Sequence, residues 1–251
     1  MKPSLRRIRK EAEYTDWFDT ITVVDEDYFD KAYMEMIKPT LNLWGFGYWR
    51  WKSYVVLKKL NEINKDDLLV YLDVGCTINP VGKTRFEEYI ESVEKNPDGM
   101  LFYEQKGLLE KQYTKMDLIV YTKGNLNDNQ ICSGLFILKK QESTIRLVNE
   151  WYDLCNNHFE LITDSPSIIP NDPSFVGNRH DQSALSLLAR KYNPVYIDAL
   201  ETWTSGDFSE DLSSFPFWAT RNKTISKRVT AKIAILSWAV RVKTWMTRLA
   251  K

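Results

Sequence analysis

Cysteine is scarce in this chain, with three residues (Cys76, Cys132 and Cys155) among 251. Their number is odd and their spacings match no metal-ligand pattern. That argues against a disulfide scaffold or a cysteine-rich zinc module, and it implies reduced thiols in a cytosolic protein. No run of eighteen apolar residues occurs, so no membrane-spanning helix is expected. The basic stretch 1–10 has no apolar segment behind it, and no secretory signal is read there. Low-complexity tracts and internal repeats are also missing. Net charge is zero, 34 Lys and Arg against 34 Asp and Glu, and no nucleic-acid partner is expected.

The zero hides a segregation. From 221 to 251 there are nine Lys or Arg and no Asp or Glu, which leaves 25 basic and 34 acidic residues in 1–220, a body of −9 with a tail of +9. Such a division calls for a physical reason. Aromatics are plentiful, with nine Trp and thirteen Tyr. They would suit a site that stacks on flat or sugar-like ligands, although most fill cores.

The length allows one large α/β domain or two small ones. Helices are expected over 4–13, 28–39, 55–60, 84–95, 143–155 and 181–192. Strands are expected over 21–24, 67–72, 100–103, 132–138 and 195–197. Residues 118–121 fit either state, and the Pro-containing stretch 164–177 is a loop long enough to be functional. The alternation argues for a mostly parallel sheet in one α/β domain.

The run Asp67-Leu68-Leu69-Val70-Tyr71-Leu72 reads as a buried strand, covered on both faces, that delivers Asp73 and then Gly75 to the carboxyl edge of the sheet. Ligands bind at that edge in open α/β sheets, and an Asp there needs a partner such as a divalent ion or a polar ligand. A capping role, with Thr77 and Asn79 completing a turn, explains Asp73 equally well. Gly45-Phe46-Gly47-Tyr48-Trp49-Arg50-Trp51-Lys52 joins glycine freedom to aromatic faces and cations, which would suit a nucleotide base and its phosphates. A packed loop is the plainer alternative. Asn178-Arg179-His180-Asp181-Gln182-Ser183 places four polar groups at the start of a helix, a ready site for an anion or sugar hydroxyl, although a cap alone also accounts for Asp181. His180 could ligate a metal or bond a phosphate.

Taken in order, the Gly45–Lys52 segment, Tyr71-Leu72-Asp73-Val74-Gly75-Cys76, Ser133-Gly134, Arg179-His180-Asp181-Gln182-Ser183 and Pro216-Phe217-Trp218-Ala219-Thr220-Arg221 resemble a group of bacterial and viral glycosyltransferases of the GT-A fold. The similarity spans most of residues 4–223. It implies a nucleotide-sugar-dependent enzyme that moves a sugar from a nucleoside-diphosphate donor to a saccharide acceptor. Surface-glycan synthesis would be its setting: polysaccharide, lipopolysaccharide or glycoprotein glycan. In that reading Asp73 stands at the family's Asp-X-Asp-like position near Mn²⁺ or Mg²⁺, with His180 as a second metal candidate. Asp181 is the candidate base if transfer inverts the anomeric centre, and it orients the sugar if transfer retains it. Tyr48, Trp49, Trp51, Lys52, Ser133, Gly134, Arg179, His180 and Gln182 would bind donor or acceptor. The sequence departs from the family in two places. Gly75 replaces the second carboxylate of Asp-X-Asp, and the chain starts almost at the 4–13 helix, where resembling proteins carry an upstream strand.

Residues 1–223 are thus expected to form a GT-A-like domain and 224–251 a basic amphipathic helix. Trp238 and Trp245 on that helix make 226–251 an in-plane anchor for an anionic membrane surface, with the protein cytoplasmic and peripheral on the inner face. Packing of the tail on the acidic body is the alternative. The rival functional classes are a non-catalytic domain that binds sugar nucleotide or glycan, and a membrane-surface interaction protein.

Overall fold

The computed structural model describes residues 3–203 and 212–220. In chain order the elements are α1 (Pro3–Thr15), α2 (Lys31–Ile37), α3 (Trp44–Tyr48), α4 (Trp51–Glu62), β1 (Leu68–Leu72), β2 (Thr77–Ile78), α5 (Lys83–Lys95), β3 (Met100–Leu109), α6 (Glu110–Tyr113), α7 (Met116–Thr122), β4 (Asn129–Lys139), α8 (Glu142–Asn157), α9 (Asp181–Ala189), β5 (Val195–Asp198) and β6 (Phe217–Trp218). The chain divides into two compact units. One draws on the described residues of Met1–Val23, Leu72–Ile90 and Leu200–Lys251, the other on Val24–Tyr71 and Glu91–Ala199.

The larger unit is built on a four-stranded sheet in the order β1-β4-β3-β5. Strand β3 runs antiparallel to β4 (Phe102 opposite Phe136) and parallel to β5 (Phe102 opposite Tyr196). The sheet is therefore mixed, not mostly parallel as the alternation suggested. The reason lies in the β3–β4 connection, where the short helices α6 and α7 return the chain antiparallel instead of crossing over the sheet. Alternate residues of the central strands (Met100 and Phe102, Phe136 and Leu138) enter a core with Val56 and Leu60 of α4, Leu147 and Trp151 of α8, and Leu185 and Leu188 of α9. Leu101, Tyr103 and Ile137, which point the other way, are buried too, so β3 and β4 are covered on both faces. Strand β1 is different. It ends the sheet and its five residues are all half-buried, so the expectation of an interior strand is corrected.

In the smaller unit, β2 and β6 form a two-stranded antiparallel ribbon that the hydrophobic pattern did not reveal. The Glu11 carboxylate of α1 receives the Ile78 N–H at 3.1 Å and pairs with Arg7 at 2.9 Å; burial pushes its pKa up. The Asn79 amide donates to the carbonyls of Ser213 (2.8 Å) and Phe215 (2.9 Å). Trp17 stacks on Phe86 at 4.9 Å.

Most expected helices form, several of them longer than the pattern indicated, and 118–121 falls inside helix α7. Residues 21–24 form no strand, for all their β-branched character. Cys76, Cys132 and Cys155 are free thiols. Among the described residues no helix is long and apolar enough to cross a membrane. The proposed boundary at 223/224 and the basic helix 226–251 lie outside the described residues.

Candidate functional site

The segment singled out for its glycines and tryptophans folds as a left-handed turn. Gly45, Phe46, Gly47, Tyr48 and Trp49 all have positive φ, at 61°, 57°, 89°, 53° and 58°. Left-handed backbone costs each of the three non-glycine residues about 1–2 kcal/mol, so tertiary contacts must hold it. Trp51 Nε1 donates to the Gly45 carbonyl at 3.0 Å, a bond that closes the turn on itself. Buried Arg50 donates through Nε (3.1 Å) and Nη2 (2.8 Å) to Asn156 at the end of α8, and lies over the Phe159 ring at 4.2 Å. Burial lowers the Arg50 pKa, with no carboxylate among the groups acting on it. Trp51 and Arg50 thus brace the turn, which is the plainer reading of that segment. A Cβ added at Gly45 would fall 2.4 Å from the Trp49 ring, which fixes glycine there on steric grounds as well as by φ.

Tyr48 and Trp49 extend from the turn toward His180, with ring centroids 4.4 Å and 5.8 Å from the imidazole. His180 caps α9 with φ 57° and ψ −120°, a strained conformation for a side chain with a Cβ. Its Nδ1 lies 2.8 Å from the Ile162 carbonyl. A carbonyl can only accept, so Nδ1 carries the hydrogen. The other nitrogen lies 3.7 Å from Asp164.

The helix that His180 caps begins with Asp181, and here the separate sequence motifs meet. Lys52, on the first turn of α4, places Nζ 3.4 Å from Asp181 Oδ2; both side chains are 4% exposed. Ser133 Oγ of β4 stands 3.4 Å from the same ammonium, and the Tyr71 ring of β1 has its centroid 6.0 Å away. Trp151 Nε1 donates to the Asp181 carbonyl at 3.0 Å and anchors the start of α9 to α8. Gly134 follows Ser133 along β4. Four segments spread over more than a hundred residues therefore contribute to one buried charge pair. The pair bears on Asp181's expected role. The carboxylate is buried and faces the Lys52 ammonium, and a base would have to reach the acceptor hydroxyl from that position. Cys155 lies close enough that burial, followed by the Asp181 charge, raises its pKa.

Arg179 and Gln182 lead to residues that the sequence pattern did not flag. Arg179 lies over the Tyr113 ring at 3.9 Å and donates from Nη1 to Gln105 Oε1 at 2.7 Å. Gln182 Nε2 donates to Gln105 Oε1 (3.1 Å) and Gln130 Oε1 (2.8 Å). Gln130 Nε2 donates in turn to Glu110 Oε2 at 2.7 Å. Glu110 is fully buried, and burial raises its pKa against the pull of its hydroxyl and amide donors. The one local signal was Thr114, one helical turn after Glu110 and bonded to it at 2.5 Å.

Asp73 follows directly on β1 and belongs to the smaller unit; its carbonyl accepts the Cys76 N–H at 2.8 Å, which closes the turn containing Gly75. Among the described residues no three His, Cys, Asp or Glu side chains assemble as a metal cluster. Ions completed by substrate phosphates need only one or two carboxylates, and Asp73 is the one carboxylate at this position. His180 has one nitrogen committed to a carbonyl and its ring packed against Tyr48 and Trp49, and its other nitrogen faces Asp164. Comparison with protein-family models, curated proteins and solved structures returned no match.

Proposed function

We propose that the chain is a glycosyltransferase that moves a sugar from a nucleoside-diphosphate donor to a saccharide acceptor. The supporting observation is the meeting of Lys52, Ser133 and Asp181 at the start of α9, beside the half-buried Arg179 and Gln182. Breaking a glycosyl–phosphate bond puts positive charge on the sugar and negative charge on the departing diphosphate. Fixed cations and hydrogen-bond donors lower that barrier by stabilising the leaving group. Arg179 is the less buried cation of the set, with its guanidinium plane supported by Tyr113. Lys52 lies beneath, and Asp181 fixes its ammonium in place. Gln182 and Gln105 supply neutral hydrogen-bonding groups for sugar hydroxyls. Asp73 would hold a Mn²⁺ or Mg²⁺ ion, which when bound neutralises diphosphate charge.

In this reading Asp181 is a positioning group and not the base, which favours retention over inversion. A non-catalytic sugar-binding domain is the second reading, favoured by the burial of both charges of the Lys52–Asp181 pair. The tail 226–251 remains the proposed anchor to anionic membrane, and flotation with and without that segment tests it.

The deciding experiment measures nucleotide release from UDP-, GDP- and dTDP-sugars with Mn²⁺, with Mg²⁺ and with EDTA. Hydrolysis of one donor, lost in Asp73→Ala with the fold intact, supports the transferase. A donor that raises the melting temperature without turning over supports the binding-domain reading, and failure of every donor on both counts removes sugar nucleotides altogether.

A further inference from the structure

Glu110 stands apart from the charge pair, yet its chemistry reaches the half-buried edge of the site. Three side-chain donors converge on its carboxylate, from Ser186 to Oε1 and from Thr114 and Gln130 to Oε2. Facing a carboxylate, which can only accept, each hydroxyl directs its own hydrogen at Glu110. Ser186 Oγ in turn accepts the Ile131 N–H at 3.1 Å, and Thr114 Oγ1 stands 2.8 Å from Gln130 Nε2. An acceptor-only group at this point therefore dictates how the amides beyond it lie.

Gln130 must present Nε2 to Glu110, which turns its Oε1 toward Gln182. Gln182 must then donate, and both of its amide hydrogens are used, on Gln130 Oε1 and Gln105 Oε1. Gln105 Oε1 is filled from two sides, by Gln182 Nε2 and Arg179 Nη1. The groups left over are Gln182 Oε1 and Gln105 Nε2. Both residues are half-buried, and neither atom is a buried, unpaired one.

We propose that Glu110 is a positioning residue whose buried carboxylate fixes the direction of the chain Gln182→Gln130→Glu110, so that Gln182 Oε1 and Gln105 Nε2 face outward as an acceptor–donor pair for adjacent hydroxyls of a sugar ring. Ligand chemistry follows from the polarity. A hydroxyl both donates and accepts, so two neighbouring hydroxyls complement one acceptor and one donor. The diphosphate of a nucleotide sugar offers acceptors only and is disfavoured by Gln182 Oε1. The identity of the ligand rests on the transferase or sugar-binding reading, whereas the direction of the chain does not.

Side-chain amide NMR tests both parts, with the Gln182 signal assigned by its loss in Gln182→Glu. In the wild type the Gln182 NH₂ hydrogens are expected to exchange slowly with solvent. In Glu110→Gln, which offers one acceptor oxygen to three donors, the chain reverses and protection falls about tenfold or more, with circular dichroism unchanged. Gln130→Met, which cuts the relay and leaves Glu110 its two hydroxyls, is expected to do the same and serves if Glu110→Gln does not fold. An unprotected Gln182 in the wild type, or full protection in either folded variant, overturns the assigned direction. Titration with free hexoses is expected to shift the Gln105 and Gln182 side-chain signals, more weakly in Glu110→Gln, whereas inorganic phosphate, drawn to Arg179, leaves the Gln182 signal in place. Hexoses that shift neither signal overturn the ligand assignment. A silent donor panel alongside hexose-sensitive amides would retire the transferase and leave this inference standing.

Discussion

Asp181 and Glu110 are both buried carboxylates that meet α9, one in its first turn and one through Ser186 in its interior. Asp181 is neutralised by Lys52, a charge set against a charge. Among the described residues Glu110 has no cation at bonding distance; two hydroxyls and an amide bond it, and the Arg190 charge acts on it from further off. The difference separates two kinds of dependence. An ion pair stands or falls with either partner, and losing one strands the other in a medium that cannot solvate it. A carboxylate shared among neutral donors loses support in portions, but it imposes a direction on every donor around it.

The largest effect should come from breaking the pair. Lys52→Met strands Asp181 and is expected to cost about 3–5 kcal/mol in urea unfolding. Lys52→Met/Asp181→Leu should cost less than the sum of the single changes, and additivity would mean that the two charges do not interact in solution. Glu110→Gln comes next, at about 1–3 kcal/mol, because it leaves three buried donors to share one acceptor oxygen without stranding a full charge. A cost equal to that of Lys52→Met would erase the distinction.

Acidity sharpens the comparison further. Burial holds the Glu110 pKa above its ordinary 4.5 in the folded chain, so the folded state binds that proton more tightly than the unfolded state. The margin of the wild type over Glu110→Gln is then full below pH 4.5 and shrinks as pH rises through the folded pKa. Unfolding both proteins at acid and neutral pH measures it, and groups common to the two, such as Glu11, cancel. The smallest contrast is Ser186→Ala against Ser133→Ala. Removing the Ser186 hydroxyl should cost about 1 kcal/mol. Removing Ser133, whose contact with Lys52 is long at 3.4 Å, should cost less.

Lys52 and Asp181 were legible as separate signals because each sits in a local pattern of unusual composition, Ser133 only through the family resemblance, and the structure joins them. Their pairing was not legible, since Lys52 read as a phosphate ligand and Asp181 as a base; a contact between side chains 129 positions apart leaves no mark on either neighbourhood. Glu110, Gln105 and Gln130 escaped for another reason. They lie at the polar end of β3, in a helix of four residues and at the start of β4, where an isolated Gln or Glu looks like ordinary surface. Strand existence was readable from apolar runs, but strand direction was not: Met100–Phe102 and Leu135–Leu138 look alike whether paired parallel or antiparallel. Tyr71 illustrates the same limit. Its apolar neighbours suggested an interior strand, yet it lies at the sheet margin, stacked on Phe136 at 4.9 Å.

The turn from Gly45 to Trp49 has a consequence in stereochemistry. Over five residues the backbone follows the mirror image of an ordinary helix, the hand that D-amino acids prefer. Local preference in the emerging chain opposes this shape, so the turn cannot act as a seed for folding. It is held by contacts from outside the segment, Arg50 to Asn156 of α8 among them. The aromatic rings that it carries toward His180 are accordingly assembled by the rest of the unit and not by their own sequence.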